Sequence, residues 1–219
     1  MSANRTCFIV DGFNLYHSLV DLQKALGKGC PPVKWLDIDK LCRSHISIAG
    51  RLSGIPDKAE LSLIHYFSAS PTHRSQDHVN RHSLYTACLE ATGVVVQLGR
   101  FKKKDVYCGK CHRYFTAHEE KESDVAIAGK LFEACYSDEC DTVVMITGDT
   151  DLVPAVKLCK RLFPSKKIIF GFPFQRKNKE LEKVADGSFV MKADSIKNAQ
   201  FPNPFTFSEG VEVEMPTGW

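Results

Sequence analysis

Short apolar runs alternate with longer stretches whose apolar residues recur at helical spacing. The runs at 6–10 (TCFIV), 61–68 (LSLIHYFS), 94–98 (VVVQL), 143–146 (VVMI), 167–170 (KIIF) and 188–191 (SFVM) predict strands. Between them, Leu15, Leu19, Leu22 and Leu26 predict a first helix, closed by Gly27-Lys28-Gly29. Further helices are predicted over 35–48, led by Asp37 and Asp39, and over 75–92, with Val79, Leu84, Cys88 and Leu89 facing inward. Another follows Asp124, with Val125, Ile127, Ala128, Leu131, Phe132 and Cys135 at core spacing. The last two are predicted over 152–162 and, shorter, over 181–185, while 50–58 reads as a loop. Strands alternating with helices predict an α/β domain: a mostly parallel sheet with helices on both faces.

The chemistry collects where strands hand over to helices. Asp11 ends the first strand, and Asn14 follows about one helical turn later. The 143–146 strand breaks at Thr147-Gly148 and leads into Asp149-Thr150-Asp151. Each acid can simply cap a helix or favour its N-terminal dipole. Capping explains one acid per helix well, and the adjacent Asp149 and Asp151 less well, because neighbouring carboxylates repel. Asp124 lies inside an apolar periodic run and needs a partner. In a parallel sheet Asp11, Asp149 and Asp151 project at one edge, where ligands bind. With Asp124 they would form a four-carboxylate group that a hard divalent cation, Mg²⁺ or Mn²⁺, relieves. Such ions generate hydroxide and hold a phosphodiester for in-line attack. The sequence has no glycine-rich phosphate loop, which argues against a nucleotide cofactor.

Residues 100–118 depart from the rhythm. Arg100 to Tyr107 is basic with aromatics interleaved, and Lys102, Lys103 and Lys104 beside Phe101 and Tyr107 suit an RNA backbone and an exposed base. A solvated loop explains the lysines equally simply. Cys108 and Cys111 have the C-x-x-C spacing of half a zinc knuckle, with His112 and His118 as candidate further ligands; a redox pair and free thiols are the alternatives. From about residue 199 the tail carries three prolines and no period, so it is expected either to be irregular or to dock its Phe and Trp residues on a neighbour. The expected organisation is a domain over 1–195, with the 100–118 insertion, and a tail over 196–219.

Composition adds little. The net charge of +3 permits a nucleic-acid partner without requiring one. The start of the chain runs apolar straight into Asp11, unlike a secretory leader, and nine scattered cysteines suit reduced thiols in a cytoplasm.

Three segments, IVDGFNL (9–15), EKESDVAIA (120–128) and TGDTDLVPAV (147–156), resemble the motifs of the NYN domain family of the PIN-like nuclease superfamily. The bacterial LabA-like (DUF88) branch is the nearest in pattern, including its C-x-x-C insertion and the ADGSFV ending (185–190). The resemblance implies a PIN-like three-layer α/β/α sandwich that binds Mg²⁺ or Mn²⁺ and cuts RNA, single-stranded RNA being the expected partner. It implies that Asp11, Asp124, Asp149 and Asp151 are metal-binding and catalytic, that Asn14 orients the metal or the phosphate, and that Thr147 contributes a hydroxyl. Glu122-Ser123 departs from the family's usual Gly or Val, and leaves open whether Glu122 joins the site. Two other readings compete. One is a phosphatase using Asp149-Thr150-Asp151 as a D-x-D, although that motif normally follows the first strand. The other is a non-catalytic RNA-binding or regulatory module, with a homo-oligomer or protein partner engaged through the tail.

Overall fold

The computed structural model describes residues 3–27 and 29–217, and Trp219, one of the aromatic residues expected to dock, lies outside them. Seven strands form one sheet in the order β4-β3-β2-β1-β5-β6-β7. They are β1 (Asn4–Asp11), β2 (Ala59–Ser70), β3 (Val95–Cys108), β4 (Arg113–Lys121), β5 (Thr142–Ile146), β6 (Lys167–Phe172) and β7 (Gly187–Val190). All neighbours are parallel except β3 and β4. The helices are α1 (Gly12–Leu26), α2 (Ile38–Ser53), α3 (Gln76–Ala91), α4 (Ser123–Tyr136), α5 (Val153–Leu162), α6 (Lys179–Val184) and α7 (Ala193–Asn198). Among the described residues no helix is long and apolar enough to cross a membrane.

Period-two alternation makes three layers. On β1, Phe8 and Val10 enter a core with Leu15 and Leu19 of α1, Leu41 of α2 and Leu89 of α3. Their neighbours Cys7 and Ile9 enter a second core with Ile127 and Leu131 of α4 and Val156 of α5. Strands buried on both faces read as continuous apolar runs, which is why β1, β5 and β6 were visible in the sequence.

Three expectations are revised. The second helix begins at Ile38 rather than Trp35, because the Asp37 carboxylate accepts the Lys40 N–H at 2.9 Å and sets the first turn there; it also runs on to Ser53. The third strand does not stop at 98. It continues to Cys108 and pairs with β4, so the basic stretch is a β-hairpin arm rather than a loop. The tail is not unstructured: Phe201 and Phe205 are buried in the first core, and Phe201 packs edge-on against Trp35 at 5.4 Å. The Trp35 indole N–H donates to the Pro202 carbonyl at 3.2 Å, and β8 (Phe205–Thr206) pairs with β9 (Glu212–Val213).

The β1–α1 turn that carries the first acid allows no side chain at its first helical position. A Cβ on Gly12 would lie 2.5 Å from the Tyr66 ring and 2.6 Å from the Phe67 carbonyl of β2. Gly12→Ala is expected to cost about 3 kcal/mol, at the upper end of overpacking effects because backbone must move, read as a lowered midpoint of urea unfolding at unchanged slope.

Candidate active site between β1 and β5

The chain leaves β1 to form β2 on one side, whereas β5 comes to lie on the other, so the sheet's topological switch falls between β1 and β5. A crevice opens there, at the carboxyl ends of the strands. Val10 and Ile146 are register partners, which puts Asp11 beside Thr147.

Asp11 is the fixed point of the crevice. It is 6% exposed. One carboxylate oxygen accepts the Asn14 N–H at 2.9 Å and the other accepts the Thr147 hydroxyl at 2.8 Å. Thr147 Oγ1 in turn accepts the Asp149 N–H at 3.1 Å, and the Asn14 side-chain carbonyl accepts the Gly148 N–H at 3.1 Å. The two strand-end loops are thus tied together by Asp11, Asn14 and Thr147. Gly148 has no room for a side chain, since a Cβ there would run into the backbone carbonyl of Arg176. Asp149 accepts the Asp151 N–H at 2.9 Å and so caps the single 3₁₀ turn over 150–152.

A cleft of about 400 Å³ is lined by Asp11, Phe13, Asn14, His17, Glu119, Glu120, Glu122, Ser123, Asp124 and Asp149. Burial pushes the Asp11 carboxyl up to about 6; its two hydrogen-bond donors oppose this, while Asp124 and Asp149 add to it by repulsion. Asp124 is likewise raised, by desolvation first and then by Asp149 and Asp151. Asp151 is exposed and close enough to act on Asp124, but it does not line the cleft.

Glu120 is a member that the sequence did not single out. Burial raises it, the Ser123 hydroxyl offsets part of that by hydrogen bonding, and Asp11 and Asp124 repel it. Glu122, the acid left open from the sequence, lines the same cleft but pairs with Arg100 at 2.8 Å. Strand alternation alone would put the two on one face; they differ because Glu120 is in β4, as the register partner of Phe101, whereas Glu122 lies past its end as the N-cap of α4 with φ 80°.

The same face carries a run of rings. Tyr16 and His17 lie 5.7 Å apart, His17 and Phe13 4.5 Å, Phe13 and Phe101 6.3 Å, Phe101 and His73 4.4 Å, and His73 and His118 4.4 Å. Burial lowers both His17 and His73, so each presents a neutral ring at neutral pH. Lys103 is the register partner of His118 and belongs to this face. Lys102 and Lys104 alternate to the other, where Lys104 pairs with Glu119 at 3.3 Å. The lysine triplet is therefore split by the pleat and is not one patch.

The zinc ligand set expected from the sequence does not assemble within the chain. His118 sits five register pairs below Cys108, about 17 Å along the strand, and stacks on His73. His112 Nδ1 is hydrogen-bonded to the Tyr107 hydroxyl at 2.8 Å. Among the described residues, no three His, Cys, Asp or Glu side chains stand close enough together to hold a metal as they are. This applies to the acids of the cleft too, which face one another without yet converging on a point. Their chemistry nevertheless fits a hard cation: they are oxygen donors whose charged forms are disfavoured by burial first and by one another's charge second.

Comparison with known proteins agrees with this fold. A crystal structure of a protein of unknown function from Vibrio parahaemolyticus superposes with a TM-score of 0.59 at 15% identity, covering 88% of this chain and 95% of that one. No curated protein sequence matches. The model of the NYN domain matches residues 5–192, from the start of β1 to just past β7, and the chain belongs to the NYN domain family, within the PIN-like nuclease superfamily.

Proposed function

We propose that this NYN domain is a Mg²⁺- or Mn²⁺-dependent ribonuclease acting on single-stranded RNA. The observation that carries the reading is the gathering of Asp11, Glu120, Asp124 and Asp149, from three separated segments, around one cleft where burial, and then the neighbouring carboxylates, raise Asp11, Glu120 and Asp124. A protein that merely bound RNA there would gain nothing from facing phosphates with carboxylates. Asp11, Asp124, Asp149 and Asp151 are the residues that would hold the cation, with Glu120 beside them. When bound, the cation would activate water and neutralise charge building on the phosphodiester. The chain's own contribution is positioning. Thr147 and Asn14 fix the Asp11 and Asp149 loops relative to each other, and Asn14, whose carbonyl is used by Gly148, keeps its amide donors for a phosphate oxygen. The rings from Phe13 to His118 lie at the cleft's mouth, where unpaired bases can stack. The motif pattern also supports placement in the LabA-like branch.

The test is cleavage of a single-stranded RNA oligonucleotide with Mn²⁺ or Mg²⁺, with Asp149→Asn prepared identically. Cleavage is expected only with the metal, and the substitution is expected to slow it about 100-fold or more. Equal cleavage by both preparations would indicate a contaminant and remove the assignment. The separation of the carboxylates favours one second reading, an RNA-binding module without catalysis. RNA binding that survives chelation, with no cleavage under any metal, would select it.

A further inference from the structure

The β3–β4 hairpin leaves the sheet. Pairing of β2 with β3 ends at Ser70 and Arg100, whereas pairing of β3 with β4 continues from Arg100 and Lys121 out to Cys108 and Arg113. An arm about 26 Å long therefore projects, with Phe13 and His73 packed against its base at Phe101 and His118. At its tip the Cys108 carbonyl accepts the His112 N–H at 2.9 Å, closing a turn in which His112 takes a left-handed conformation, φ 52°. That turn puts Cys108 and Cys111 together at the end of the arm, at the C-x-x-C spacing that lets two thiolates meet one tetrahedral ion.

Half a tetrahedral site is present and the other half is not. Among the described residues no third Cys, His, Asp or Glu stands near enough to join, and His118 lies far down the arm. We propose that the missing half is the same pair of thiols from a second copy of this chain, so that one Zn²⁺ bound by two Cys108 and two Cys111 joins two molecules arm to arm.

Symmetry favours that occupant, because two identical knuckles related by a two-fold axis supply four thiolates at once. Charge favours it as well: four thiolates on Zn²⁺ leave a net charge of −2, and each tip carries Lys110 and Arg113 to offset it. Exposed rings surround the tip, with Tyr107 50%, Tyr114 76% and Phe115 53% exposed, and a second arm would cover them. The four thiols release their protons as the metal binds. The inference does not depend on the nuclease reading.

The experiment uses the full chain, kept reduced with a phosphine, and measures mass by light scattering and bound zinc by elemental analysis. One Zn²⁺ per two chains and a dimer are expected with zinc present. The mass should halve on chelation, and Cys108→Ser or Cys111→Ser should give a zinc-free monomer with an unchanged circular dichroism spectrum. Substitution by Co²⁺ should give the strong visible absorption of a four-thiolate tetrahedral site, lost in either variant. One zinc per monomer, no zinc retained, or a dimer that survives both chelation and Cys108→Ser would each overturn the proposal.

Discussion

Asp11→Asn is expected to slow RNA cleavage severely and at the same time to make the metal-free protein more stable at pH 7. The Asp11 carboxyl lies at about 6 in the folded chain against 3.8 for the ordinary residue, chiefly because it is buried. The folded state therefore binds more protons than the unfolded one between those values, and stability falls as pH rises through that window. Below about 3.8 the group carries no penalty, and above about 6 the penalty is complete, on the order of 3 kcal/mol. Asparagine removes the charge while its side-chain oxygen can still cap α1 by accepting the Asn14 N–H. In metal-free buffer at pH 7 the variant should melt about 5 °C or more above the parent chain, and the gap should close as the pH is lowered towards 4. Mn²⁺ should raise the melting temperature of the parent and leave the variant nearly unmoved, since only the parent keeps all its donors. Cleavage by the variant should fall about 100- to 1000-fold. A variant that melts lower than the parent, with no difference in their response to Mn²⁺, would reduce Asp11 to a helix cap.

Alanine at Phe13 or Phe101 is expected to weaken binding of single-stranded RNA about 10-fold or more each, and to leave duplex RNA binding nearly unchanged. The rings from Tyr16 to His118 form a continuous surface leading away from the acids. A base stacked on an aromatic side chain contributes roughly 1–3 kcal/mol, and every base has a face to stack, whereas the bases of a duplex are already stacked inside it. Phe101 should have the larger effect because it supports His73, which in turn stacks on His118. Fluorescence anisotropy with a labelled oligonucleotide, in the Asp149→Asn background to prevent cleavage, measures it directly. Lys103→Ala should instead reduce the salt dependence of binding, as loss of a phosphate contact does. Unchanged affinity in both ring variants would mean that the RNA path lies elsewhere.

The sequence by itself determined the central strands, the helices on both faces and the identity of the strand-end acids. β1, β5 and β6 are buried on both faces and so appear as uninterrupted apolar runs, and Asp11 and Asp149 interrupt the chain where such strands end. It could not show the β3–β4 arm, because a strand pair that leaves the sheet buries little and keeps no apolar alternation. It could not separate Lys103 from Lys102 and Lys104, because only the pairing of β3 with β4 puts them on opposite sides of the arm, or Glu120 from Glu122, which lies past the end of β4 and pairs with Arg100. It offered His118 as a candidate for a metal that the register puts out of reach, and it left open whether the tail is irregular or docks, where Phe201 and Phe205 complete the chain's own core beside Trp35. Local periodicity reports burial along one element. What Asp11 faces, and what the two sulfurs at the arm's tip lack, are set by which elements become neighbours, and tertiary packing alone decides that.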